Sequence, residues 1–280
     1  VRQGIAAISF LLAAGCARPV PSPSASRAPQ ATAPAALAKS AKFEKPVEPE
    51  TVQLPPAAAA RVFPPHLFQS HIGDITVSGV IFDQRTYELK IADQPGGPGS
   101  KWDDAKAAGS AFGGVAAVNA GFFTPEGAPL GLVMSQGRPT GALNSSSLGA
   151  GFVIGGSSPA LIRRQLWSNA REAVQSGPFL LESGRSDTAL STVISTARTF
   201  IANDGGSQWV IARTGPCSLA QLATALNGAN LGGMKPVNAL NLDGGRSSDL
   251  WVSGAVPGGP LHERPIWNKP VRNFLVLAPR

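Results

Sequence analysis

The stretch VNALNLDGGRSSDLW, Val237 to Trp251, decides how the rest of the chain is read. Residues 237–243 alternate Asn and Asp with Leu, so as a strand they put Asn241 and Asp243 on one face and Leu240 and Leu242 on the other. Gly244 and Gly245 then permit a turn with positive φ and, lacking a Cβ, let a ligand approach main-chain N–H groups. Arg246, Ser247 and Ser248 follow as donors. The same letters also spell a hairpin turn in which Asp243 merely satisfies local amides, and the stretch by itself does not separate the two readings.

Working outward, Val115–Asn119 is an apolar strand that stops at a polar residue and runs into Ala120-Gly121-Phe122-Phe123. Asn119 either mounts function at the strand end or caps the turn, and Phe122 and Phe123 either line a sugar site or enter the core. Ser176–Gly184, SGPFLLESG, is a glycine-bounded strand with Gly177 at its head and Glu182 near its end, a second carboxylate or a solvated one. Thr196–Ala202 puts Arg198 in the middle of an apolar strand, where a guanidinium requires an anionic partner, either a protein carboxylate or a ligand phosphate. Ser218 caps a helix whose Leu219, Leu222, Ala223 and Leu226 recur at helical spacing. Cys217, just before it, is a small apolar filler or a thiol activated by the helix N-terminus.

Elsewhere, Ile75–Ile81 and Tyr87–Ile91 read as strands joined hairpin-fashion through Asp83–Thr86. Trp102–Phe112 reads as a short helix with Asp103 and Asp104 in its first turn. Pro129–Arg138, Ala150–Ile154, Gln208–Arg213 and Arg272–Leu277 complete the set of strands.

Composition bounds the function. The hydrophobic content is 43%, ample for a packed core, against 15% charged residues. The net charge of +7 is dispersed: the first 60 residues hold six Lys/Arg and three Asp/Glu, the remainder 18 and 14. Without a basic block or interleaved aromatics, nucleic-acid binding is not indicated, while an anionic substrate is compatible. No Gly-x-Ser-x-Gly elbow, phosphate loop, dinucleotide fingerprint or paired Cys/His spacing is present, so no cofactor or metal is expected.

The N-terminus has its own signature. An apolar run, Gly4–Ala14, follows Arg2 and is too short to span a bilayer, which takes about 20 apolar residues. It leads into Leu12-Ala13-Ala14-Gly15-Cys16, which resembles a bacterial lipoprotein box; an ordinary signal peptide is the alternative. The expected organisation is a signal over residues 1–16 with lipidation at Cys16, an Ala/Pro-rich tether over 17–62, and one folded domain over 63–280. Eleven of the 25 prolines fall between Pro19 and Pro65, which keeps the tether extended. The product would be exported and membrane-anchored, facing the periplasm or cell exterior.

Taken in order, VNAGFF, SGPFLLESG, ARTFIA, the SLAQLATAL helix and NALNLDGGRSS resemble the bacterial phosphodiester glycosidase family, relatives of the lysosomal uncovering enzyme. The resemblance spans roughly residues 75–280. It implies a single α+β domain with extensive mixed or antiparallel sheet, few helices and a cleft at the strand ends that carry these motifs. The family's Asn-Gly-Gly-Phe-Phe stands here as Asn119-Ala120-Gly121-Phe122-Phe123, and its Leu-Asp-Gly-Gly-Gly-Ser-Ser as Leu242-Asp243-Gly244-Gly245-Arg246-Ser247-Ser248. Arg246 is a departure that either adds a phosphate contact or crowds the turn. The implied reaction cuts the bond between a sugar's C1 and a phosphodiester oxygen in an envelope or extracellular glycan. Asp243 would act as nucleophile or base, and Arg198 and Arg246 would meet the phosphate charge. The Gly244 and Gly245 amides with Ser247 and Ser248 would hold its other oxygens, and Asn119 and Asn241 would orient sugar hydroxyls. Two rivals are a glycosidase pairing Asp243 with Glu182 or Asp249, and an anchored glycan-binding module without turnover.

Overall fold

Alternating strands dominate the computed structural model, which describes residues 62–280. The expected signal and tether, with Cys16, therefore lie outside the described residues. In chain order the elements are β1 (His66–Ile72), β2 (Ile75–Asp83), β3 (Tyr87–Asp93), α1 (Ala105–Ala111), β4 (Ala116–Asn119), β5 (Val133–Ser135), β6 (Arg138–Thr140), β7 (Gly151–Ile154), β8 (Ala160–Arg163), β9 (Ala173–Ser176), β10 (Phe179–Glu182), β11 (Arg185–Ser186), β12 (Thr199–Asn203), β13 (Gln208–Thr214), α2 (Leu219–Leu226), β14 (Asn238–Asn241), β15 (Leu250–Val252), β16 (Leu261–Glu263) and β17 (Asn273–Pro279).

The strands form three sheets, ordered β1-β2-β13-β12-β14-β10-β11, β16-β15-β4-β17-β3 and β6-β5-β9-β7-β8. Every described strand pairing is antiparallel, so the fold is sheet-rich and only loosely α+β. The three sheets share one central core: Phe82, Ile201 and Leu240 from the first, Leu89, Val118 and Leu275 from the second, Val133, Val153 and Val174 from the third. Alternation gives each sheet a second apolar face. α2 covers that of the first sheet, setting Leu222, Ala223 and Leu226 against Phe200, Ala202 and Ala212. α1 covers the second, setting Ala105 and Ala108 against Ala117, Trp251 and Phe274.

The helix signals differ in strength. Ser218 accepts from Gln221 N–H while the Gln221 side chain accepts from Ser218 N–H, a complete capping box for α2. α1 is shorter than its letters suggest: Asp104 is its N-cap, accepting from Ala107 N–H, and Asp103 lies before the helix. The hairpin expected between Ile75 and Ile91 does not form. Both edges of β2 are occupied, by β1 and β13, and β3 pairs instead with β17 in the second sheet. The turn between them is held by Asp83, whose carboxylate accepts from Arg85 N–H and from its guanidinium.

Candidate active site

Several strand ends meet at one place. Across the first sheet Phe200 pairs with Asn241 and Phe179 with Leu240, so β14 ends between the starts of β12 and β10. In the second sheet Phe274 pairs with Asn119 and Leu250 with Val118, so β4 ends beside the starts of β17 and β15. Asn119 ties the two sheets together. Its Nδ2 donates to the Asp243 carbonyl at 2.7 Å, and its Oδ1 accepts from the Thr199 hydroxyl at 2.8 Å and from Asp249 N–H at 3.0 Å. Asp243 N–H in turn donates to the Ala120 carbonyl at 2.8 Å. The Asp243 backbone is thus fixed from both sheets.

Its side chain is left half-buried, neither in the core nor free in water. Gly244 N–H donates to Oδ1 at 2.8 Å. Removal from water pushes the carboxyl up to about 6, against the opposing pull of the Ser247 hydroxyl and the Gly244 amide. No cation contributes to that balance. The two glycines differ from expectation. Gly245 has φ +62°, but Gly244 is extended at φ −128°, and its role is close approach: a Cβ there would meet the Ala197 carbonyl at 2.9 Å. Gly245 N–H donates to that same carbonyl at 2.7 Å, pinning the turn to the residue before Arg198, so with Gly244 N–H on Asp243 neither glycine amide is left to hold a phosphate oxygen as expected.

Arg198 precedes β12 rather than sitting inside it. The side chain runs beside Gly244, whose missing Cβ would lie 3.7 Å from Arg198 Cδ. Among the described residues it has no carboxylate partner. Instead Nε donates to the Cys217 carbonyl at 3.0 Å and Nη2 to the Ile194 carbonyl, and burial lowers the guanidinium from its ordinary value. Two neutral carbonyls orient this cation without neutralising it. Arg246 is exposed and leaves the turn intact, so it does not crowd the glycines.

The remaining expected residues divide by exposure. Phe122 and Phe123 are half-buried beside the site, with Phe123 also packed on the α1 core. Asn119 is fully buried and its side chain is consumed by protein bonds, so it cannot orient a sugar hydroxyl as expected; it braces Asp243. Ser248 is likewise buried, 3.2 Å from the Thr199 hydroxyl, and not available to a phosphate. Asn241 is buried, with Nδ2 donating to the Gly177 carbonyl and Oδ1 without a protein partner. Gly177 and Gly121 are buried supports, Gly121 N–H donating to Asn273 Oδ1 at 2.7 Å.

Neither rival carboxylate stands free. Glu182 pairs with Arg163 on the surface. Asp249 is buried, accepts from Ala105 N–H at 2.9 Å and lies 3.0 Å from His262 Nε2; burial raises its carboxyl despite those partners. Cys217 is buried and its thiol is pushed up by desolvation, which supports the filler reading. The sequence carries no sign that Thr199 or the Ala120 carbonyl supports the site. Thr199 stood next to Arg198 in an alternating run, and Ala120 contributes only its carbonyl, which no side-chain pattern reveals.

A family model for phosphodiester glycosidases matches residues 112–278, the part that holds the Asn119, Gly177, Arg198 and Asp243 segments. No curated protein matches the sequence. Among solved structures the fold is similar to the catalytic domain of zebrafish N-acetylglucosamine-1-phosphodiester alpha-N-acetylglucosaminidase, auto-inhibited by its pro-peptide. The TM-score is 0.56 and the identity 19%, over 80% of this chain and 86% of that one. A hypothetical protein from Synechocystis has a TM-score of 0.52 and 16% identity, over 76% of this chain and 61% of its own.

Proposed function

Because the chain belongs to the phosphodiester glycosidase family, we propose that it hydrolyses the bond between a sugar's anomeric carbon and the oxygen of a phosphodiester in an envelope or extracellular glycan. The observation that carries this reading is a half-buried carboxylate, Asp243, whose neighbour Gly244 packs against Arg198, a guanidinium with no carboxylate partner among the described residues. A leaving phosphomonoester departs as a stable anion, so the reaction asks for positive charge and N–H donors more than for a second, protonated carboxyl. Arg198, oriented by the Cys217 and Ile194 carbonyls, supplies that charge. Arg246, exposed on the glycine turn, would add a second contact to the phosphate.

Asp243 works ionised, as the base that takes a proton from attacking water or as the nucleophile itself. A carboxylate near 6 is a stronger base than an ordinary one and is still mostly ionised at pH 7. In the hydrolysis the C1–O bond to phosphorus breaks with its electron pair leaving on the phosphate, a water oxygen ends on C1, and the released proton passes through Asp243 to solvent. Asn119 holds the Asp243 main chain and is a positioning residue.

Turnover of a glycosyl-1-phosphodiester and of a phosphate-free glycoside by the full chain tests this, with Asp243→Asn and Arg198→Ala beside the parent. The expected losses on the phosphodiester are about 10³-fold for Asp243→Asn and about 10²-fold for Arg198→Ala. Equal rates for parent and Asp243→Asn would remove the mechanism, and cleavage of the phosphate-free glycoside alone would remove the substrate class.

A further inference from the structure

Ten large hydrophobic side chains are exposed among the described residues, and eight of them sit beyond the strand ends on the Asp243 side, six on loops and two, Leu148 and Leu166, on single turns of 3-10 helix. Topology places each one. Leu130 follows the Phe122 turn, its N–H donating to the Phe122 carbonyl, and Asn144 Nδ2 bonds back to the Leu130 carbonyl. Leu143 and Leu148 flank Asn144 on the loop that rests on Gly177, where the Ser147 carbonyl lies 2.5 Å from the position of a Cβ. Leu166 comes just after Arg164, whose N–H donates to the Ala150 carbonyl of that same loop.

Val193 and Ile194, 86% and 64% exposed, lie on the segment entering β12, and the Ile194 carbonyl is the one that orients Arg198. Ile266 and Trp267, 94% and 75% exposed, lie on the loop from β16 to β17, whose two ends are held beside Asn119 by the pairings of Leu250 and Phe274. The two exceptions, Val62 and Phe63, precede β1 at its opposite end.

Such an arrangement is not what a protein partner selects. The apolar tips come from segments linking strands of all three sheets, and exposed cations stand among them, Lys269 on the loop that carries Ile266 and Trp267 and Arg246 on the glycine turn. A protein interface concentrates its apolar residues in a core depleted of charge. Scattered aliphatic tips, a tryptophan and basic side chains on one face instead match a bilayer interface, where the tips enter the acyl boundary and the cations meet headgroup phosphates. We propose that this end of the molecule docks on an anionic phospholipid bilayer, so that Asp243 and Arg198 face the membrane surface. On the proposed activity, the substrate is then a membrane-borne glycosyl phosphodiester.

The test uses the full chain in a Cys16→Ser background, which removes any lipid on that cysteine from the comparison. Hydrogen exchange is followed with and without vesicles of phosphatidylcholine containing phosphatidylglycerol. Docking is expected to slow exchange in residues 143–149, 190–197 and 264–270, and to leave residues 62–66 unchanged. The Val193→Ser/Ile194→Ser/Ile266→Ser/Trp267→Ser variant is expected to lower vesicle partitioning at least about tenfold. A Trp267→Ser variant alone should retain the parent's turnover of a soluble glycosyl phosphodiester, which separates docking from chemistry. Absence of protection in the three loops overturns the proposal even if the chain sediments with vesicles. Protection that develops with protein concentration and without vesicles would assign the face to a second copy instead. Loss of the proposed activity with loop protection intact would overturn the enzyme reading and leave the docking in place.

Discussion

Asp243 and Asp249 lie on either side of one glycine turn, and both carboxyls are raised by burial. Their surroundings differ. Asp249 is enclosed, with an α1 N–H on one oxygen and His262 on the other, and Arg264 close enough to matter. Asp243 is half-open and has only its neighbour's amide and the Ser247 hydroxyl. A buried carboxylate with a full set of donors joins elements together; a half-buried one with too few is available to a substrate. Asn119 stands between them, bonded to the carbonyl of one and the N–H of the other, so the brace and the reactive group share a single support.

The contrast can be broken from the Asp249 side first. Asp249→Ala strands the Ala105 N–H and leaves His262 without its partner, and is expected to cost about 2–4 kcal/mol in denaturant unfolding. Folded enzyme below the transition should keep its turnover, since Asp249 is walled off; a variant that is fully stable but inactive would make Asp249 the reactive group.

Asp243→Asn should act in the opposite direction on stability. Its carboxyl is raised in the folded state, from an ordinary 3.8 to about 6, so the folded form binds a proton more readily than the unfolded one. That stability is fully present below 3.8 and is lost as pH rises through 6. Removing the charge is therefore expected to stabilise by about 1–3 kcal/mol at pH 7 and by nothing at pH 3. Equal unfolding free energies at pH 7 would mean that Asp243 pays no burial cost.

Smallest of all, Arg246→Gly restores the glycine that the family carries at this turn. Because Arg246 is exposed and the turn closes around it without strain, stability should change by less than about 1 kcal/mol. On a glycosyl phosphodiester, kcat/KM should fall less than about tenfold, chiefly through KM. A rise in kcat/KM would show that the arginine obstructs the site.

The strands themselves were legible because alternation and glycine punctuation are local. The Leu240/Leu242 face is core, as the period-2 pattern requires, and the α2 capping box follows from Ser218 and the leucine spacing. Pairing was less accessible: Ile75–Asp83 and Tyr87–Asp93 look like a hairpin until β13 takes the edge of β2, a competition between segments far apart in the chain. In the site, residue types pointed to the right neighbourhood but not to its depth. Nothing local distinguishes an asparagine that faces a ligand from Asn119, whose three partners come from β12, the glycine turn and the segment before β15. An arginine in the Arg198 context calls for a protein carboxylate or a ligand anion; no protein carboxylate pairs with it among the described residues, and the two backbone carbonyls that orient it leave no mark in side-chain patterns.

The most direct measurement is the pH dependence of kcat/KM between 4 and 8 on a glycosyl phosphodiester, a substrate that keeps its charge across this range. With Asp243 acting in its ionised form, the rate should climb as pH rises and level off above a midpoint near 6, where its carboxyl titrates. A flat profile, or one that falls as pH rises through 6, would contradict an ionised Asp243 as the group that does the chemistry.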